Sequence, residues 1–227
     1  MKNNVAVVHK SELLKRLNLD VSKKDSLVIT PLLQRTTIFE DTANMDAIDV
    51  RLGTHFLLPQ VPPAPFYYPS RNLSRRSHVQ VNVPLGRYLV VPAHQTVLGA
   101  TLEFLKMPDD LCGQILTKSS IARTFIVIET APWIHPGYRG CLTLEIANVS
   151  NTPLLLYPGR MIGQLVFMEL SQHDAKEHKL AGTYLAPVYP EAPRFQDPEK
   201  DLERIGIPRS QISVPTFKFL KPKRRPQ

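Results

Sequence analysis

Within TKSSIAR (117–123), two cations, Lys118 and Arg123, flank two hydroxyls, Ser119 and Ser120. That combination suits a polyanion: backbone amides and serines cradle phosphate oxygens, while Lys and Arg supply charge. Ser119 and Arg123 are four residues apart, so one helical turn sets them on the same side. A polar turn between strands would carry the same residue types. Further on, CLTLEIANV (141–149) holds a single carboxylate, Glu145, in an apolar strand pattern. Alternation puts Leu142, Leu144 and Ile146 on one face and Thr143, Glu145 and Ala147 on the other. A carboxylate between a small Thr and a small Ala fits a cavity rather than bulk solvent; an edge strand with Glu145 in water fits the same pattern. Local pattern cannot connect the cationic cluster to Glu145 in space.

The elements that must position these residues are short. Proline is unusually frequent, 21 against 10 glycines in 227 residues, and helix interiors reject it, which excludes long helices beyond the ends. SELLKRLNL (11–19) reads as a helix with Ser11 as its cap, Glu12 in the first turn and Leu13, Leu14 and Leu17 on one face. SLVITPLL reads as a strand stopped by proline, and DAIDVRLGTHFLL as one further strand. From Val79, short apolar runs alternate with turn signals such as Pro136-Gly137 and Pro158-Gly159, which predicts an antiparallel sandwich or barrel. The proline-rich stretch 59–77 reads as an inserted surface flap. DPEKDLERIGI reads as a short helix.

Bulk composition narrows the class. The chain is long enough for one domain with a sizeable core, and 43% apolar content is in the globular range. Its longest apolar runs are far too short to span a bilayer, and no signal-peptide core follows Lys10, Lys15 and Arg16. The expectation is a soluble cytoplasmic protein with no membrane partner. Cys112 and Cys141 read as reduced, buried thiols. The net charge of +8 favours anionic partners. Part of it sits in the C-terminal FKFLKPKRRPQ, a solvated end that leaves nucleic-acid contact open.

The stretch from VLGATLEF through GQLVF (97–167) resembles the dCTP deaminases of the dUTPase superfamily. AIDVRLGTHF (47–56) is similar to an earlier strand of that family, and SELLKRL with SLVITP to its opening helix and strand. The resemblance covers most of residues 10–170. It implies an all-β fold, a distorted antiparallel β-barrel or jelly-roll with a short N-terminal helix and an extended C-terminal arm. The deaminase domain would run over 1–170, with arm and basic tail over 171–227, in a homotrimer with sites between subunits. The implied reaction is hydrolysis of dCTP to dUTP and ammonia, a step of nucleotide metabolism. Glu145 matches the family's general acid–base. Ser119 matches the serine that holds the water and the base, and Arg123 the arginine that orients the Glu. Substrate would be met by Lys118 and Ser120 at the phosphates, the Ala131 carbonyl at the water, and His135 at the sugar. Thr143 and Leu144 would meet the cytosine edge through their backbone. Gln164 would lie near the triphosphate, and His178 where an aromatic contact comes. Mg²⁺ would ride on the triphosphate, with no metal at C4 and no zinc.

Several positions depart from the family pattern. Lys118 replaces the usual Arg and loses its bidentate fork. His135 replaces an Asp that helps the hydrolytic water in dUTPases. RTFIVIETAPW is one residue shorter than the deaminase pattern, and Thr183 stands for the Lys beside Tyr184, with Arg194 as another source of charge. Zinc-dependent deaminases need HxE followed by PCxxC; none of the seven histidines has Glu two residues on, and the two cysteines form no CxxC. Trp133 reads as a packing residue rather than a base-stacking one. Two alternatives stay open: a bifunctional enzyme that carries dCTP on to dUMP (or a dUTPase alone), and a catalytically silent nucleotide-binding sensor.

Overall fold

The computed structural model describes residues 7–32, 46–60, 78–129, 131–170, 186–192 and 198–212. Two compact units are present, one formed by Met1–Leu58 with Gln80–Glu191 and one by Pro59–Val79 with Ala192–Gln227. Most of the 59–77 insertion, His178, Thr183, Tyr184, Arg194 and the basic tail lie outside the described residues.

In the first unit, helix α1 (Lys10–Leu17) buries Leu13 and Leu17. Its cap differs from the expectation. His9, in extended conformation, takes the N-cap position and accepts from the Ser11 N–H. The Lys10 N–H is taken by Asp46 Oδ1 at 2.8 Å, so Ser11 falls inside the first turn. Glu12 receives Arg16 and Lys15, and the Arg16 hydrogen bond, foremost, holds its carboxyl below the ordinary value. Arg16 also grips both oxygens of Asp110 at 3.0 and 2.7 Å, tying the helix to the main body.

The strands are β1 (Val28–Thr30), β2 (Ala47–Arg51), β3 (His55–Pro59), β4 (His78–Asn82), β5 (Leu89–Val91), β6 (Thr96–Lys106), β7 (Leu111–Thr117), β8 (Ile126–Ile128), β9 (Trp133–Ile134), β10 (Arg139–Asn148), β11 (Leu154–Leu156) and β12 (Met161–Glu169). They form three antiparallel sheets. One has the order β4-β3-β6-β10-β8 with β1 beside β6, one is β2-β12-β7-β9, and one is β5-β11. Among the described residues, the hydrogen bonding does not close into a barrel. The sheets enclose one core drawn from all of them, including Leu13, Phe56, Leu89, Leu144, Leu156 and Phe167. Burial of each large side chain there contributes roughly 1.5–3 kcal/mol.

The expected single strand over DAIDVRLGTHFLL is two. The chain leaves one sheet after Arg51 and enters another at His55. At the crossing Gly53 donates to the Ala100 carbonyl at 2.8 Å, and a Cβ there would stand 3.0 Å from that oxygen. Beside the crossing, Arg51 and the buried Glu103 form an ion pair at 2.6 Å, with the Arg51 N–H on the second carboxylate oxygen. Cys112 and Cys141 are free and buried, as expected, and burial raises both thiols.

In the second unit, a helix runs over Pro198–Arg204, as expected from DPEKDLERIGI, followed by a 3-10 turn at Arg209–Gln211. Among the described residues, no helix is long and apolar enough to cross a membrane.

Candidate active site

Strand β10 has β6 on one side and β8 on the other. Its alternation follows the sequence reading. Leu142, Leu144 and Ile146 point into the core, and Thr143 and Glu145 are half-buried on the opposite face. Glu145 is therefore not on an exposed edge. Its Oε2 is sealed from solvent and has no partner among the described residues. Burial, the largest cause, pushes its carboxyl above the ordinary value, and the charge of Glu129 adds to the rise.

The cationic run folds as the four-residue spacing predicts. Helix α2 (Ser119–Ala122) leaves the end of β7, and the Arg123 N–H donates to the Ser119 carbonyl at 3.1 Å. Ser119, Ser120 and Arg123 are exposed. Arg123 forms no ion pair among the described residues.

Two hydrogen bonds fix this loop against the carboxylate strand. Alternate N–H groups of β8 point to opposite sides. That of Ile128 turns away from β10 and donates to Thr117 Oγ1 at 2.9 Å. That of Glu129 turns toward β10 and donates to the Glu145 carbonyl at 2.8 Å. Thr117 immediately precedes Lys118, so the contacts run from the cationic turn, through β8, to Glu145. Thr117, the residue before the serine–cation turn, and Glu145 are thus bonded to adjacent residues, Ile128 and Glu129.

Lys118 is engaged. It forms an ion pair with Asp49 on β2, whose side chain is 8% exposed, and touches Met161 Sδ at 3.8 Å. Gln164, half-buried on β12, stands opposite Asp49 and Leu116. Lys118, Asp49 and Gln164 are gathered at one end of the β2-β12-β7 sheet.

The remaining expected contacts fall on either side of β10. Leu144 is fully buried, which leaves only its backbone for a ligand. Thr143 Oγ1 accepts from the Glu191 N–H at 3.3 Å, and the Cys141 N–H donates to the Pro187 carbonyl at 2.6 Å. The segment 186–191 therefore runs beside β10 just before β8 takes over. Gly140 permits that approach, because a Cβ there would meet Pro187 at 2.5 Å. Ala131 is exposed between β8 and β9. His135 is exposed and opens the turn His135–Tyr138, closed by Tyr138 N–H to the His135 carbonyl at 3.2 Å. Trp133, expected to pack, is 48% exposed. In the two-residue β9, Ile134 takes the inward position and leaves the indole outward.

Sequence reading missed Asp49, Thr117, Glu129 and the 186–191 segment. Asp49 and Glu129 each carry the signal that singled out Glu145, a carboxylate in or next to an apolar strand. Thr117 carries none, since its role depends on where β8 returns.

A family model described as dCTP deaminase-like matches residues 18–170. Among curated proteins, the dCTP deaminase, dUMP-forming, of Methanobrevibacter smithii is 29% identical over 77% of this chain and 90% of its own. That of Coprothermobacter proteolyticus is 33% identical over 75% and 88%. A solved structure of 2'-deoxycytidine 5'-triphosphate deaminase from Agrobacterium tumefaciens superposes with a TM-score of 0.54 at 20% identity over 73% of this chain. It shares the fold, and this chain spans 49% of its length.

Proposed function

From the premise that this chain belongs to the dCTP deaminase-like family, we propose that it hydrolyses the amino group of dCTP, with Glu145 as general acid–base. The observation that carries this reading is the half-buried Glu145 carboxyl, one oxygen sealed and unpartnered among the described residues, on a strand tied through Glu129 and Ile128 to the residue before the serine–cation turn. Its raised pKa suits a group that must take and return protons near neutral pH.

The reaction balances as dCTP and water giving dUTP and ammonia. Water adds to C4 of cytosine while Glu145 takes one of its protons and delivers it to N3. The remaining hydroxyl proton passes through Glu145 to the amino group, which leaves as ammonia, and the C4 carbonyl forms. Ser119 holds the water and base, and Arg123 orients Glu145. Ser120 and Gln164 face the triphosphate, which enters as its Mg²⁺ complex. Lys118 contributes to phosphate binding through a charge shared with Asp49, so its contribution is smaller than that of a free cation. The Ala131 carbonyl positions the water, the Thr143 and Leu144 backbone reads the base, and His135 meets the sugar. The enzyme works as a homotrimer in the cytoplasm. No zinc takes part, and water activation falls to Glu145.

A second reading has its own support. The relatives are named dUMP-forming, which favours further hydrolysis of dUTP to dUMP and pyrophosphate in this chain too. His135 weighs against it, since an imidazole replaces the carboxylate that would orient the second water. Incubation with dCTP and Mg²⁺, followed by ion exchange and assays of ammonia and pyrophosphate, tests both. Ammonia with dUTP supports deamination alone, and ammonia with dUMP and pyrophosphate supports the bifunctional enzyme. Glu145→Gln should bind dCTP and abolish turnover; deamination by that variant at near wild-type rate refutes the assignment.

A further inference from the structure

Strands β8 and β10 pair with Ile126 opposite Asn148, Val127 opposite Ala147 and Ile128 opposite Ile146. One more step of that register sets Glu129 opposite Glu145, and the 2.8 Å bond from the Glu129 N–H to the Glu145 carbonyl confirms it. Directly opposed residues of an antiparallel pair project from the same face, with Cβ atoms about 4.5–5.5 Å apart. Two carboxylates in that relation destabilise a sheet, so the pair costs the fold something.

We propose that Glu129 is a positioning residue for Glu145: across the β8–β10 ladder, its carboxylate strengthens Glu145 as the base that takes a proton from water. The inference rests on the reading of Glu145 as the acid–base group. The surroundings leave this role to Glu129. From β6, Leu98 stands opposite Glu145. On its own strand, Thr143 and Ala147 share its face. Beyond Thr143 comes Glu191, a second carboxylate, whose charge bears on Tyr138; the Tyr138 hydroxyl donates to the Cys141 carbonyl at 2.9 Å. Arg123, in the α2 turn, is exposed and three residues before β8, and no ion pair joins it to either carboxylate among the described residues.

Glu129 is exposed and Glu145 half-buried. The charge of Glu129 therefore acts on a less solvated neighbour, where it is screened less. Glu145 thereby takes the water proton more readily before passing it to the ring nitrogen and the departing amine. Substrate phosphates alter the same balance, so the apo protein is the clean place to observe it.

The test is a carbon-13 titration of side-chain carboxyls in full-length apo protein, with Glu145 assigned by its loss in Glu145→Gln. In Glu129→Gln the Glu145 midpoint should move to lower pH, and in Glu129→Asp it should stay near wild type. An unchanged Glu145 midpoint in Glu129→Gln overturns the proposal. With dCTP, the acid limb of kcat/KM should shift in the same direction in Glu129→Gln while KM changes less than twofold. A midpoint that moves in a protein that never deaminates dCTP leaves the carboxylate pair standing and removes the catalytic reading instead. A pH profile unchanged by Glu129→Gln, in an active enzyme, overturns the role of Glu129 in turnover.

Discussion

Thr117→Val tests whether one hydroxyl holds the cationic turn against the carboxylate strand. Valine keeps the shape of threonine and deletes the acceptor of the 2.9 Å bond from the Ile128 N–H. A neutral hydrogen bond contributes about 1 kcal/mol net. Thr117 and Ile128 are both half-buried, so water partly replaces the lost partner and the cost stays near that figure. For a chain of this size the loss corresponds to a fall in Tm of about 2–4 °C. The functional cost is larger in proportion. Residues 118–125 lose this tie to β8, and a displacement of about 1 Å between reacting groups costs roughly 100-fold in rate. We expect kcat for dCTP deamination to fall roughly 10- to 100-fold, with KM changing less. Faster hydrogen exchange at the Ile128 amide reports the broken bond independently of activity. Thr117→Ser keeps the acceptor and should restore both. A folded Thr117→Val protein with wild-type kcat, or a serine variant as impaired as the valine one, would refute the reasoning.

Glu103→Gln leaves the Arg51 guanidinium facing a neutral group at a site where Glu103 is 4% exposed. Breaking such a buried pair costs about 3–5 kcal/mol, to be read from urea unfolding; a loss under 1 kcal/mol would mean that solvent reaches the pair. Glu145→Gln acts on stability in the opposite direction. Because the folded-state pKa of Glu145 is raised, the native state binds its proton more tightly, and stability falls as pH rises from the unfolded value through the folded one. Removing the ionisable group should therefore stabilise the protein by on the order of 1 kcal/mol above that window, discounted for partial solvation. Below the unfolded pKa the gain should vanish. Thermal melts at pH 4 and pH 8 check the sign, and a variant less stable at pH 8 contradicts it.

Sequence alone determined the features with a local cause. Period-two alternation in CLTLEIANV set Leu144 in the core and Glu145 on the other face. The four-residue spacing of Ser119 and Arg123 made one helical turn. The turn chemistry of Pro136-Gly137 and the burial habit of cysteine also carried through. Where a choice depended on a neighbour one or two residues away, as with His9 or Ser11 at the α1 cap, local pattern was not enough. What tertiary structure decided were the pairings between distant segments: β8 inserted beside β10, Glu129 opposite Glu145, Thr117 against Ile128, Lys118 on Asp49, and Pro187 over Gly140. Each joins stretches whose own patterns are satisfied by several partners. Strand order and register choose among them, and these are set by the packing of the whole core, a sum over many residues that no short stretch encodes.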